Sequence, residues 1–115
     1  MMIAVIFEVW PEKDGATSYF DLAATLRPLL ESIDGFISIE RFESVSTKGK
    51  YLSLSFWRDE KALGEWRNLS KHREAQELGR GELFADYRIR VASVVRDYGM
   101  TERNEAPEDS RGALG

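Results

Sequence analysis

At 115 residues, 43% of them hydrophobic and 31% charged, the chain has the length of one domain and can bury about two-thirds of its unfolded surface. It contains no Cys, which excludes disulfide scaffolds, thiolate metal sites and a thiol nucleophile, and its single His72 excludes a multi-histidine metal centre. A net charge of −4 removes the electrostatic footprint of a nucleic-acid binder, and no apolar run approaches the 18 or so residues of a membrane span, so the expectation is a soluble, cytoplasmic protein that binds neither nucleic acid nor membrane.

Met2–Val9 (MIAVIFEV) is β-branched, aromatic and apolar on both faces apart from Glu8, the pattern of a central strand. A polar turn over Pro11–Gly15 follows. Thr17 or Ser18 is positioned to cap a helix whose Phe20, Ala23, Leu26, Leu30 and Ile33 recur every three or four residues. Pro28 falls inside that pattern, where it removes the bond back to Ala24 at a cost of about 3 kcal/mol. Asp34-Gly35 stops the helix.

Phe36–Ser44 alternates, with Ile37 and Ile39 on one side and Phe36 and Phe42 on the other. Ser46–Gly49 turns the chain into Tyr51–Trp57 (YLSLSFW), where Leu52, Leu54 and Phe56 oppose Tyr51, Ser53, Ser55 and Trp57; the pair reads as a hairpin. Asp59 is a candidate N-cap for a second helix. Ala62, Trp66, Leu69, Arg73 and Gln76 share one face of it if it runs unbroken, and Ser70 restarts it if it bends at Leu69. Gly79 and Gly81 end that segment. Tyr87–Tyr98 (YRIRVASVVRDY) alternates over twelve residues and reads as the longest strand.

Residues 1–100 thus form one domain. Residues 101–115, with four acids, two Arg and three apolar side chains, read as a flexible C-terminal tail. The order β-α-β-β-α-β predicts an α+β, ferredoxin-like split arrangement: a four-stranded antiparallel sheet with helices on one face. The other face, with its apolar residues on the first and last strands, would lie bare in a monomer, so a homodimer through that open face is expected.

No phosphate-binding glycine loop, metal-ligand spacing or nucleophile elbow is present; Gly79-Arg80-Gly81 is too short for the first and lacks its Lys-Ser/Thr ending. The third strand also lacks the glycine-aromatic motif of RNA-recognition modules that share this fold. What remains is a cluster of aromatic and polar residues: Trp57, Trp66, Asn68, His72 and Gln76, with Phe7 on the first strand and Arg88 or Arg90 entering on the last. Apolar walls with a few placed donors suit a flat aromatic ligand. Each member also has a plainer reading. Trp57 and Trp66 fit a core, His72 a solvated or capping position, and Arg88 and Arg90 surface ion pairs.

The segments LSFWRDEKALGEWRNLSKHREAQELGR and ADYRIRVASVVRDYG, with GFISIERF before them, resemble the antibiotic-biosynthesis-monooxygenase (ABM) domain superfamily over residues 2–99. The most specific element is aromatic-x4-Ala-x3-Trp, from Trp57 through Ala62 to Trp66, with His72 after it. The resemblance implies a dimeric α+β barrel with a pocket between sheet and helices in each subunit. It also implies three alternative roles. Haem degraders of the family pair a Trp, similar to Trp66, with an axial His where this chain has Gln76 and with a first-strand Asn that has no counterpart here. Cofactor-independent oxygenases of phenolic or quinol compounds need molecular oxygen as co-substrate and neither metal nor flavin. Their Trp resembles Trp66, their proton relay lies near His72, and their last-strand Arg resembles Arg88 or Arg90; an Asn one turn before the Trp is replaced by Ala62. Members of the third group have no known substrate, and here the missing Asn and the lone His favour a non-catalytic module that binds a small hydrophobic ligand.

The leading expectation is a cofactor-independent monooxygenase of a small aromatic hydroxylated or quinol compound. His72, Trp66 and Arg88 are its expected catalytic residues, with Trp57, Asn68, Gln76, Arg90 and Phe7 lining the substrate site; the alternative is a dimeric ligand-binding protein, with haem degradation third.

Overall fold

The structure, a computed structural model, describes residues 1–13, 15–69, 73–74 and 83–114; the expectations placed on His72 and Gln76 lie outside this set. Its elements run β1 (Ile3–Pro11), α1 (Ala16–Glu31), β2 (Phe36–Glu43), β3 (Tyr51–Trp57), α2 (Glu60–Arg67), β4 (Phe84–Ser93) and α3 (Glu108–Leu114). The first six follow the β-α-β-β-α-β order, and the strands make one antiparallel sheet in the order β2-β3-β1-β4. This is the ferredoxin-like α+β fold.

Directly opposed residues in an antiparallel sheet point to the same face. The register therefore sorts the side chains into rows. One row is Arg41, Ser53, Phe7 and Ile89; the next is Ile39, Ser55, Val5 and Val91. Both rows face α1. Ile3, Leu30, Trp57, Ala62 and Trp66 form the buried core there, packed by Val5, Leu26, Ile33, Phe36, Ile39, Leu63 and Leu69. The rows of opposite parity carry Ala4, Ile6, Glu8, Leu52, Leu54, Phe56, Arg88 and Arg90 on the face that α1 does not cover.

The open face differs from the expected one in the strands that supply it. Its large apolar side chains come from β1, β3 and, at Phe42 beside Leu52, β2, not from β1 and β4. The apolar members of β4, Tyr87, Ile89 and Val91, stand beside Val9, Phe7 and Val5 on the helix side, leaving Arg88, Arg90 and Ala92 for the open face.

The other differences have local causes. The α1 helix begins at Ala16, with Gly15 as a cap that makes no side-chain bond, so Thr17 and Ser18 lie inside the first turn. A register shift between Phe36 and Ser38 interrupts the alternation of β2, so Phe36 lies against Trp57 on the helix side while Phe42 is exposed and Ile37 projects outward. The β4 strand ends at Ser93, opposite Ile3 at the start of its partner β1, and Val94 N–H closes the ladder on the Met2 carbonyl at 2.9 Å. Beyond Tyr98, Arg103 stacks over the Tyr98 ring at 5.4 Å and Ala106 is buried, ahead of the short helix α3.

One junction sets the position of α2. Gly35 has φ +94° and its carbonyl accepts the Arg58 N–H at 2.7 Å, while the Arg58 guanidinium bridges Asp34 at 3.3 Å and Asp59 at 3.1 Å. Asp59 in turn accepts the Ala62 N–H at 2.9 Å as the N-cap of α2. The cap directs Ala62 and Trp66, one turn apart, into the core.

Candidate functional site

Between α1 and the sheet lies a cavity of about 540 Å³. It exists because of what β3 places beneath it. Ser53 and Ser55 occupy the covered phase of that strand and are 6% exposed, while Leu52, Leu54 and Phe56 point to the open side. Two small side chains under a helix leave space that leucines would fill. The roof is the sheet-facing stripe of α1, Tyr19, Leu22, Ala23, Leu26 and Leu30, at spacings that keep them on one side of the helix.

The two ends of the cavity differ. At one end are Trp57, Trp66 and Leu63. Trp57 is 1% exposed, and its Nε1–H donates to the Ser55 hydroxyl at 3.0 Å, so its one polar atom is satisfied within the strand. At the other end Phe7, Phe84 and Tyr87 make a mutual aromatic cluster with centroid separations of 5.7 to 6.0 Å, and Tyr19 packs edge-on to Phe84 at 5.5 Å. Arg41 lies at this end. Its Nε–H donates to the Tyr19 hydroxyl at 3.4 Å, and its guanidinium sits 5.8 Å from the centre of the Tyr19 ring. Arg67 and Arg73 also border the space.

Of the expected site residues, Phe7, Trp57 and Trp66 line the cavity. Arg88 and Arg90 do not: register puts them on the open face, where Arg88 is exposed and Arg90 Nη1 donates to Glu8 at 3.1 Å. That hydrogen bond, joined by Lys50 at 3.4 Å, holds the Glu8 carboxyl below its ordinary value. Asn68 is a cap rather than a wall. Its Nδ2 donates to the Gly64 carbonyl at 2.9 Å, and its Oδ1 accepts from Arg73 Nη2 at 2.7 Å. Tyr19, Arg41, Ser53 and Ser55, polar groups that also face the space, were not singled out from sequence. Their signal was present as an Arg in phase with Ile39 and two serines in phase with Trp57, but only the register shows that phase to be the covered one.

The sequence profile described as antibiotic biosynthesis monooxygenase matches residues 2–78. The chain belongs to the antibiotic biosynthesis monooxygenase family. A relative from Pyricularia oryzae named jasmonate monooxygenase is 50% identical over 94 residues, covering 82% of this chain but 44% of its own length, so the chain spans less than half of that protein. An uncharacterized Bacillus subtilis protein, YqjZ, is 33% identical over 94 residues, covering 81% of this chain and 79% of its own. Among solved structures, Rv0793 from Mycobacterium tuberculosis superposes with a TM-score of 0.76 at 19% identity, over 86% of this chain and 100% of that one. SnoaB, a cofactor-independent oxygenase from Streptomyces nogalater solved as a point mutant, gives 0.72 at 8% identity, over 84% and 95%. These two structural likenesses carry the family fold alone. No helix among the described residues is long and apolar enough to cross a membrane.

Proposed function

We propose that this antibiotic biosynthesis monooxygenase family member is an oxygenase that works without metal or flavin on a small, mostly apolar, ring-bearing molecule. The carrying observation is the cavity: about 540 Å³, within the usual range for small-ligand sites, walled by aromatic and aliphatic side chains with few polar groups. In the reaction envisaged, a phenolic or quinol-type substrate loses a proton and its anion passes one electron to O₂. The two radicals join as a hydroperoxide, which loses water to leave a carbonyl. Such chemistry asks the protein for a dry, shaped pocket and a proton acceptor. His72 is our candidate acceptor on sequence grounds, imidazole being the side chain whose charge changes near neutral pH. Trp66 and Trp57 wall one end. Arg88 and Arg90, on the far side of the sheet, have no part in steadying the anion.

The open face supports a homodimer in the same reading. Ile6, Leu52, Leu54 and Phe56 lie there half-buried.

An oxygen electrode tests the activity with a panel of anthrones, quinols and jasmonate, the last because the Pyricularia oryzae relative bears its name. Uptake that requires no added metal or flavin and falls at least tenfold in His72→Ala supports the reading. Saturable binding of the panel with no oxygen consumed replaces it with a ligand-binding dimer.

A further inference from the structure

The cavity holds a cation without an acid. Arg41 is half-buried among aromatic and aliphatic walls, and no Asp or Glu among the described residues lies within ion-pair distance of it, in a chain with 20 acidic and 16 basic side chains. Three other arginines, Arg27, Arg58 and Arg90, are each matched to a carboxylate although they are more exposed. A guanidinium partly withdrawn from water is costly unless something answers its charge.

Its neighbours are arranged for such an answer. Arg41 lies directly across the β2–β3 ladder from Ser53, on the same face. Ser53 is buried, and its hydroxyl has no hydrogen-bond partner among the described residues. Tyr19 receives the Arg41 Nε–H, which leaves the two Nη groups for something else. Two guanidinium nitrogens and a serine hydroxyl on one sheet row match the geometry of a carboxylate, which accepts a forked pair of N–H bonds plus a third from the side. Four residues further along β3, about 13 Å away, stand Trp57 and the Trp66 end, where the remainder of the ligand would lie.

We infer that Arg41 and Ser53, with Tyr19 orienting the guanidinium, form a carboxylate subsite, so that the cavity takes a small monocarboxylic acid with an apolar, ring-bearing body. This inference rests on the reading of the cavity as the substrate site and assigns its polar end. Arg41 fixes specificity and orientation, and the apolar body lies toward the tryptophans.

The test is isothermal titration calorimetry of the purified protein with two matched pairs, jasmonate with methyl jasmonate and naphthaleneacetate with its methyl ester. Each acid is expected to bind roughly 10- to 100-fold tighter than its ester, the size of a charge-assisted hydrogen-bond set. Arg41→Leu should abolish that preference by weakening the acids and sparing the esters. Arg41→Lys, which keeps the charge but not the fork, should retain only part of it. Ser53→Ala, in which the β2–β3 ladder is untouched, should lower acid affinity several-fold and serves as a second probe if Arg41→Leu folds poorly. Equal affinities for acid and ester in the wild type, no binding of either acid, or a preference that survives Arg41→Leu would each overturn the inference. Because binding is read without turnover, an absence of oxygen uptake would remove the oxygenase reading and leave this result standing.

Discussion

The Trp57 indole N–H donates to the Ser55 hydroxyl 3.0 Å away, two residues earlier on the same face of β3. Ser53, two residues before that on the same face, is just as buried and has no such partner among the described residues. The two serines therefore differ in purpose although strand position and burial are alike. Ser55→Ala strands a buried indole N–H, so unfolding in urea should show a loss of about 1–3 kcal/mol. Ser53→Ala removes a hydroxyl that bonds nothing among the described residues and should leave the urea midpoint unchanged or raised. A loss at Ser53 equal to that at Ser55 would mean that both hydroxyls are structural.

Gly35 and Gly49 both have positive φ, at +94° and +82°. A Cβ on Gly35 would meet the Ala62 Cβ at 2.7 Å, whereas a Cβ on Gly49 meets nothing within 4 Å. Backbone strain alone is about 1 kcal/mol for Ala at such a site. Gly49→Ala should cost about that much, and Gly35→Ala clearly more, about 2–3 kcal/mol. Because Ala62 begins the turn that carries Trp66, Gly35→Ala should also shift Trp fluorescence, and Gly49→Ala should not.

The open face yields a prediction about assembly. Leu54 lies beside Ile6 and Glu40 on the side that α1 leaves uncovered. Sedimentation should give a dimer for the wild-type protein and a monomer for Leu54→Glu. A wild-type monomer would remove the dimer from the proposed function. Arg88→Ala, on the same face and away from the cavity, should leave affinity for cavity ligands unaltered by calorimetry.

Acid should weaken the cap of α2. The Ala62 N–H, and after it Arg58, hold the Asp59 carboxyl below its ordinary value of 3.8. A lowered folded-state pKa means stability that is fully present above the unfolded value and disappears as pH falls through the folded one. Stability should thus decline below about pH 4. Asp59→Asn, which keeps a capping oxygen without the titration, should flatten that part of the curve. An identical acid limb in wild type and Asp59→Asn would show that the cap does not contribute to it.

Some of this architecture was plain in the chain and some was hidden. The limits of β3 follow from strict alternation between Gly49-Lys50 and Arg58-Asp59, and the cap at Asp59 follows from its place ahead of Ala62 and Trp66. Strand β4 reads too long because alternation continues to Val95, while pairing stops where β1 runs out; a strand's own pattern carries no record of its partner's length. Arg88 and Arg90 were correctly set opposite Ile89 and Val91, but periodicity cannot say which set faces the helix. The same ambiguity concealed Arg41, and the irregular register at Phe36 deepened it. The aromatic residues Phe7, Trp57 and Trp66 were legible as a cluster, and all three line the cavity.

The serines of β3 have a wider consequence. Among the described residues, two small side chains on one strand open the room for a ligand beneath α1. A larger residue at position 53 or 55 would shallow the cavity while leaving the open face of the same strand untouched. Ligand size and subunit association can therefore drift independently in descendants of this sequence, one through the odd positions of β3 and the other through the even.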